Sequence, residues 1–192
     1  MKMRLTACSL LLVMNISLLR AADYRPAKVS FDDFKELVAA VEPHRAKRLV
    51  GLDEFLKMSR EPNTIVLDSR SDFRYDRIHL KGARHLSFTD FTQENLEKVI
   101  PDFNTRILIY CNNNFDGNQT DFTSKVARRG SRLARNPIEA QMQAQAKPRM
   151  MALNIPTYVN LFGYGYENVY ELAELVDVTD PRITLEGTVA KK

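Results

Sequence analysis

Two runs of the chain, Thr64-Ile65-Val66-Leu67-Asp68 and Arg106-Ile107-Leu108-Ile109-Tyr110, carry apolar residues at every interior position. Neither alternates polar with apolar residues, so each predicts a strand buried on both faces of a sheet. Helical spacing fills the stretches around them. Phe31, Phe34, Leu37, Val38 and Val41 form an apolar stripe behind Ser30, a candidate N-cap, and Glu42-Pro43 marks its end. A short strand at Arg48-Leu49-Val50 leads into a helix from Leu52 to Ser59 that turns Phe55 and Leu56 inward. Ser71 to Arg77 reads as a short helix with Phe73 and Tyr75 as its bulky contacts, and Ala83 to Leu86 as a brief strand. Thr92 to Ile100 is a helix stopped by Pro101. Ile155 to Phe162 is another, with Pro156 in its first turn, and Asn168 to Leu172 is a final strand. This alternation predicts an α/β protein with a central parallel sheet flanked by helices on both faces. Ligands of such sheets bind beyond the carboxyl ends of the strands, which sets Asp68 and Cys111 on one rim.

Two segments depart from that rhythm. From Gly117 to about Met150 the composition turns to Gln, Ala and Arg, with Gly130 and Pro137 as interruptions and no sustained apolar stripe, which reads as a mobile insertion. Its basic residues, Lys125, Arg128, Arg129, Arg132, Arg135, Lys147 and Arg149, can fold back on the domain. At the other end, Lys2 and Arg4 precede the apolar stretch Leu10-Leu11-Leu12-Val13-Met14, and Ala21-Ala22 follows. A charged segment, an apolar segment too short to span a bilayer, and small residues at the exit are the parts of a secretory signal. The expected organisation is a signal peptide at 1–21, a helical extension at 22–46, the main domain at 47–178 with the insertion at about 117–150, and a tail at 179–192. The expected location is periplasmic or secreted, with no membrane span left after cleavage.

Charge changes little in this picture. The formal +4 falls to about +1 once Lys2, Arg4 and Arg20 leave with the signal, too little for a nucleic-acid footprint. Cysteine changes more. Cys8 leaves with the signal too, so Cys111 is the only thiol of the mature chain and no intrachain disulfide can form. An unpaired thiol in an oxidising compartment needs a use or a burial place. Its position at a strand end, before Asn112-Asn113-Asn114-Phe115-Asp116-Gly117, points to an exposed functional nucleophile rather than a core residue. The three asparagines tolerate left-handed backbone, which would let successive N–H groups converge on one point. No histidine and cysteine cluster has metal-ligand spacing.

These residues resemble the rhodanese-like sulfurtransferase domain. Asp68-Ser69-Arg70 looks like the family's Asp-Val-Arg at the end of its second strand. Ser71 through Tyr75 to His79-Leu80-Lys81-Gly82-Ala83-Arg84-His85-Leu86 resembles its Ser-Pro-x-x-Tyr-x-x-x-His-Ile-Pro-Gly-Ala-x-Asn-Ile without a gap. Ile107 to Cys111 resembles the strand that carries the nucleophile. Leu161 with Gly165-Tyr166-Glu167-Asn168-Val169-Tyr170-Glu171-Leu172 is similar to the closing Leu-x-x-x-Gly-Tyr-x-Asn-Val-x-x-Leu. The resemblance implies a sulfur relay: Cys111 takes sulfane sulfur from a small donor, holds it as a persulfide and passes it to a thiol acceptor, with no cofactor. It also implies that the loop Asn112 to Gly117 wraps the sulfur.

The loop breaks the pattern at its far end, where the family usually carries a basic residue for an anionic donor. Asp116 would close a six-residue loop, and Gly117 stands where the seven-residue loop of related phosphatases has Arg. A carboxylate beside the sulfur would raise the thiol pKa. The helix that should follow the loop is displaced by the insertion, which leaves open whether a helix N-terminus near Thr120-Asp121-Phe122 takes its place. Two functions therefore stand: a persulfide-forming sulfurtransferase, or a catalytically weak or inactive binding and redox-sensing module on the same fold, with a protein partner. Phosphatase chemistry lacks the Arg that grips phosphate. Of the remaining candidates, Asp68 could cap a helix or orient the loop, Arg70 could steer anions at the rim or form an ion pair, and His79 or His85 could act as a base.

Overall fold

The computed structural model describes residues 25–127, 135–145 and 147–190. The signal reading at 1–21, with Cys8, lies outside the described residues, as do Arg128, Arg129 and Arg132. The chain divides into two units, Met1–Ser30 and Phe31–Lys192, and the fold set out below is that of the second.

In chain order the elements are α1 (Phe31–Ala46), β1 (Leu49–Val50), α2 (Leu52–Met58), β2 (Thr64–Asp68), α3 (Asp72–Arg77), β3 (His79–Leu80) and β4 (Arg84–His85). There follow α4 (Gln93–Val99), β5 (Arg106–Tyr110), β6 (Phe115–Asp116), β7 (Val126–Ala127), α5 (Pro137–Gln145) and β8 (Arg149–Met150). The chain continues with α6 (Asn154–Gly163), β9 (Val169–Leu172), β10 (Val176–Asp177) and β11 (Leu185–Glu186). Five strands form the central sheet in the order β1-β9-β5-β2-β4, every pair parallel. The register sets Asp68 opposite Tyr110, so β2 and β5 end together and the rim residues sit side by side.

The continuous apolar runs serve two cores at once, because successive side chains of a strand point to opposite faces. Ile107 and Ile109 join Leu96 of α4 and Tyr158, Val159 and Leu161 of α6 on one face. Leu108 and Tyr110 join Leu52 and Phe55 of α2, with Phe115 and Phe122, on the other. Sequence periodicity foresaw this two-sided burial.

Three expectations about helices need correction. Helix α1 runs through Pro43 to Ala46 instead of stopping at Glu42-Pro43, and of its apolar stripe only Val41 is fully buried. Tertiary contacts hold the turn after the proline: Arg45 donates to both oxygens of Glu171 on β9 at 2.5 and 2.7 Å, and His44 Nδ1 meets the Tyr158 hydroxyl at 3.0 Å. Phe73 of α3 is 63% exposed. Its ring lies 5.5 Å from the guanidinium carbons of both Arg74 and Arg77, so it covers two cations instead of filling the core. Within the insertion, Pro137 starts a helix, α5, rather than breaking one, and β7 pairs antiparallel with β8 to close the stem.

Short strands that periodicity could not reveal finish the fold. Strand β6 pairs parallel with β10, and β11 pairs antiparallel with β3. The last of these ties the segment after Asp177 to the domain: Glu186 accepts the Gly82 N–H at 2.8 Å and faces His79 Nε2 at 3.3 Å. Among the described residues no helix is long and apolar enough to cross a membrane.

Candidate active site

Cys111 follows the last residue of β5 in extended backbone and caps a short 3-10 turn formed by Asn112–Asn114. The thiol is 1% exposed, against the expectation of an open nucleophile. Leu153 at the start of α6 sits directly on the sulfur, and Asn113 ties the loop to Lys125 in the insertion.

Backbone donors surround the sulfur. Sγ accepts the Leu153 N–H at 3.4 Å and the Asn112 N–H from its own turn, while the Asn114 N–H closes that turn on the Cys111 carbonyl at 3.0 Å. Leu153 is the N-cap of α6, so the helix expected after the loop keeps its place at the sulfur although the insertion comes between them in sequence. No substitute helix near Thr120 is needed. The asparagines achieve convergence through a tight turn rather than left-handed backbone, since the non-glycine positive φ among the described residues belongs to Asn63.

Each loop side chain has a definite task. Asn114 Oδ1 accepts the Cys111 N–H at 2.9 Å and the Asn154 amide at 2.9 Å, and its Nδ2 donates to the Leu172 carbonyl at 2.6 Å. It thereby locks loop, α6 and β9 together. Asn113 clamps the insertion: its Oδ1 accepts the Lys125 N–H at 2.7 Å and its Nδ2 donates to the Lys125 carbonyl at 3.1 Å. Asn112 Oδ1 accepts from Arg70 Nη1 at 3.2 Å. Phe115 is buried against Tyr110 and Phe122. Asp116 is exposed and accepts the Gly117 N–H at 2.8 Å, and Gly117 takes a φ of 83° that suits glycine. The carboxylate that raises the thiol is Asp68, not Asp116.

Asp68 and Arg70 are a buried ion pair, so Asp68 does not cap a helix, and Arg70 takes the ion-pair role expected of it as the alternative while it also lines the cleft beside the loop. Arg70 donates Nη2 to Asp68 Oδ2 at 2.6 Å and Nε to both carboxylate oxygens at 3.0 Å. The Tyr110 hydroxyl donates to Asp68 Oδ2 at 2.5 Å, and Arg70 Nη2 also reaches the Ile78 carbonyl at 2.6 Å. Burial and then the Asp68 charge push the Tyr110 hydroxyl well up, which keeps it a donor. Complete hydrogen bonding is what allows two charges to sit in the interior.

The thiol feels opposing influences. Burial pushes its pKa up and dominates; the Leu153 and Asn112 N–H groups and the Arg70 charge pull it down, and Asp68 adds to the rise. The net shift is upward. His79 and His85 do not serve as bases to the thiol: their rings sandwich Tyr75 at 3.8 and 4.4 Å, with His79 Nδ1 against the Tyr75 carbonyl and His85 Nε2 against the Arg70 carbonyl. Among the described residues no group of three or more His, Cys, Asp and Glu could hold a metal ion.

Beside the thiol opens a cleft of roughly 400 Å³ whose walls include Asn112 and Leu153, both of which donate to Sγ. Arg70, Arg74, Ser71, Thr89, Thr123 and Lys125 also line it, and among its described lining residues none is acidic. The loop motif alone did not reveal Leu153, Arg74 or the cleft, because the insertion separates Leu153 from the thiol and α3 brings Arg74 from elsewhere in the chain.

A family model described as the rhodanese-like domain matches residues 51–174. Among solved structures, the BH2092 protein from Bacillus halodurans is 14% identical over 79% of this chain and 86% of its own, with a TM-score of 0.44. A rhodanese with anions from E. coli is 18% identical over 65% of this chain and 99% of its own, with a TM-score of 0.33. Among curated proteins none matches the chain.

Proposed function

Because the chain belongs to the rhodanese-like domain family, we propose that it is a sulfurtransferase that carries sulfane sulfur on Cys111 as a persulfide. The observation that carries this reading is the pair of backbone donors at Sγ, the N–H groups of Asn112 and Leu153. Such donors stabilise a thiolate and the terminal anion of a persulfide alike. The reaction divides into two displacements. The Cys111 thiolate attacks the outer sulfur of a donor such as thiosulfate; the new S–S bond forms as the donor's own S–S bond breaks, and sulfite leaves with the electron pair. An acceptor thiolate then attacks the outer sulfur of the persulfide, and the Cys111 thiolate returns. Sulfur moves between nucleophiles with no net oxidant, so the relay needs no cofactor.

Burial of the thiol sets the pH behaviour. A raised thiol pKa leaves little thiolate at neutral pH, so sulfur uptake rises as pH climbs through the thiol's ionisation. The same burial, with Cys111 at 1% exposure, favours a second reading: a binding or redox-sensing module that keeps the fold without turnover. Sulfite release from thiosulfate with a thiol acceptor separates the two. Repeated turnover that disappears in Cys111→Ser supports the enzyme. Absent turnover, with a mixed disulfide on Cys111 or partner capture unchanged in Cys111→Ser, supports the module. The charged and apolar leader ahead of Asp23 supports an exported location for either.

A further inference from the structure

We propose that Lys125, carried in by the insertion, acts with Arg74 of α3 as the donor-binding pair, gripping the anionic end of the sulfur donor where the active-site loop has no cation. The inference rests on the sulfurtransferase reading for its reaction, but the anion site itself stands on geometry. The loop after Cys111 ends in Asp116 and Gly117, so it contributes no positive charge. Both cations instead line the cleft that Asn112 and Leu153 share with the sulfur.

Their placement is fixed by the fold. Lys125 is held at its backbone by three hydrogen bonds: its N–H to Asn113 Oδ1 at 2.7 Å, its carbonyl from Asn113 Nδ2 at 3.1 Å, and the same carbonyl from the Met151 N–H at 2.8 Å. Asn113, in the nucleophile's own turn, therefore holds the lysine at the cleft wall, and the lysine side chain is exposed with no partner among the described residues. Arg74 is anchored by Nη1 to the Thr120 carbonyl at 2.5 Å. The nearby Asp121 carboxylate is engaged by Arg77 at 2.7 Å, so the Arg74 charge has a carbonyl rather than a carboxylate as its direct partner. Arg70 adds less, because Asp68 compensates it.

Ser71 and Thr89 supply hydroxyl groups at the same walls, the kind of neutral donor that completes the coordination of a sulfonate or carboxylate, whereas the Thr123 hydroxyl is spent on the Gln119 carbonyl at 2.8 Å. At roughly 400 Å³ the cleft falls within the range of small-molecule sites, ~300–1,000 Å³, so organic donors bearing a negative group fit as well as thiosulfate does. The ligand class is thus an anionic sulfane-sulfur donor whose charge lies at the cleft wall and whose transferable sulfur points to Cys111.

The test uses the full-length protein and two methanethiosulfonate reagents, one carrying a negative charge and one uncharged, with the ratio of their rates compared between wild type and variants so that the difference in their size cancels. The Cys111 thiolate displaces methanesulfinate from each, forming a mixed disulfide, so the rate reports access and local charge without requiring sulfur transfer. The expected result is a preference for the sulfonatoethyl reagent over the uncharged methyl reagent. That preference falls about three- to fivefold in Lys125→Met and about tenfold when Arg74→Met is added, while Lys98→Met on α4 leaves it unchanged. The apparent KM for thiosulfate rises in Lys125→Met and recovers in Lys125→Arg. A charge preference that is the same in wild type and Lys125→Met overturns the proposal, and Lys125 alone suffices for this if Arg74→Met fails to fold. A Lys125-dependent preference in a protein that takes no sulfur from thiosulfate upholds the anion site and refutes the sulfurtransferase reading instead.

Discussion

Asp68→Asn and Arg70→Met should damage stability alike yet move the Cys111 thiol in opposite directions. The two side chains are 0% and 2% exposed, and one carboxylate receives the Arg70 Nε and Nη2 groups, the Arg70 backbone N–H and the Tyr110 hydroxyl. Removing either partner strands a buried charge, which costs about 3–5 kcal/mol. Against a total stability of about 5–15 kcal/mol that is a large fraction, and at an m value of about 1–3 kcal/mol per M it lowers a urea midpoint by at least roughly 1 M. The thiol separates the variants, because Arg70 pulls its pKa down and Asp68 pushes it up. Asp68→Asn therefore lowers the thiol pKa and speeds alkylation at a fixed neutral pH, whereas Arg70→Met raises the pKa and slows it. Urea unfolding supplies the first quantity, and iodoacetamide rate against pH the second. A loss below about 1 kcal/mol in both variants would show that the pair is not the buried linchpin described here. Thiol shifts in the same direction would refute the electrostatic coupling.

Three further outcomes follow from the same geometry. Asn113→Ala removes both hydrogen bonds to Lys125, at a cost of about 1 kcal/mol each, and should raise the alkylation rate of Cys111 and speed amide exchange at Lys125 as the stem lifts from the loop. Gly187→Ala would place a methyl group against the Arg77 carbonyl at a φ of 130°, so it should destabilise by about 1–3 kcal/mol and release β11 from β3, seen as loss of exchange protection at Lys81, whose N–H bonds the Thr184 carbonyl. The raised thiol pKa also makes a statement about stability. A folded value above the unfolded one, near 8.5, means the native state binds the proton more tightly, so this contribution is full below that pH and is lost as pH rises through the folded value. Wild type should lose stability on the alkaline side faster than Cys111→Ala, as denaturant midpoints across pH would register; equal slopes would contradict the burial argument.

The sheet was legible because β2 and β5 are apolar at every interior position, a pattern that only two-sided burial explains. The nucleophile was legible for a local reason: Cys111 follows one of those strands directly. Its environment was not, because the residues that build it arrive from distant places. Leu153 reaches the sulfur from beyond the insertion and Lys125 from within it, and no periodicity encodes either approach. The exposure of Cys111 was misjudged since a strand end followed by polar residues looks open until something folds over it. Asp116 was misjudged in the opposite sense. Its number in the loop suggested a carboxylate at the sulfur, but pairing of β6 with β10 turns it to solvent. Strands of two residues such as β3 and β11 carry too few positions for any pattern, so only tertiary pairing reveals them.

A sulfurtransferase of this design must accept sulfane sulfur on Cys111. Intact mass of the protein after incubation with thiosulfate at mildly alkaline pH, followed by removal of the donor, addresses it most directly. The expected result is the added mass of one sulfur atom, mapped to Cys111, absent in Cys111→Ser and discharged by a thiol acceptor. An unchanged mass for the folded wild-type protein, at a pH where its thiol is shown by alkylation to be ionised, would contradict it.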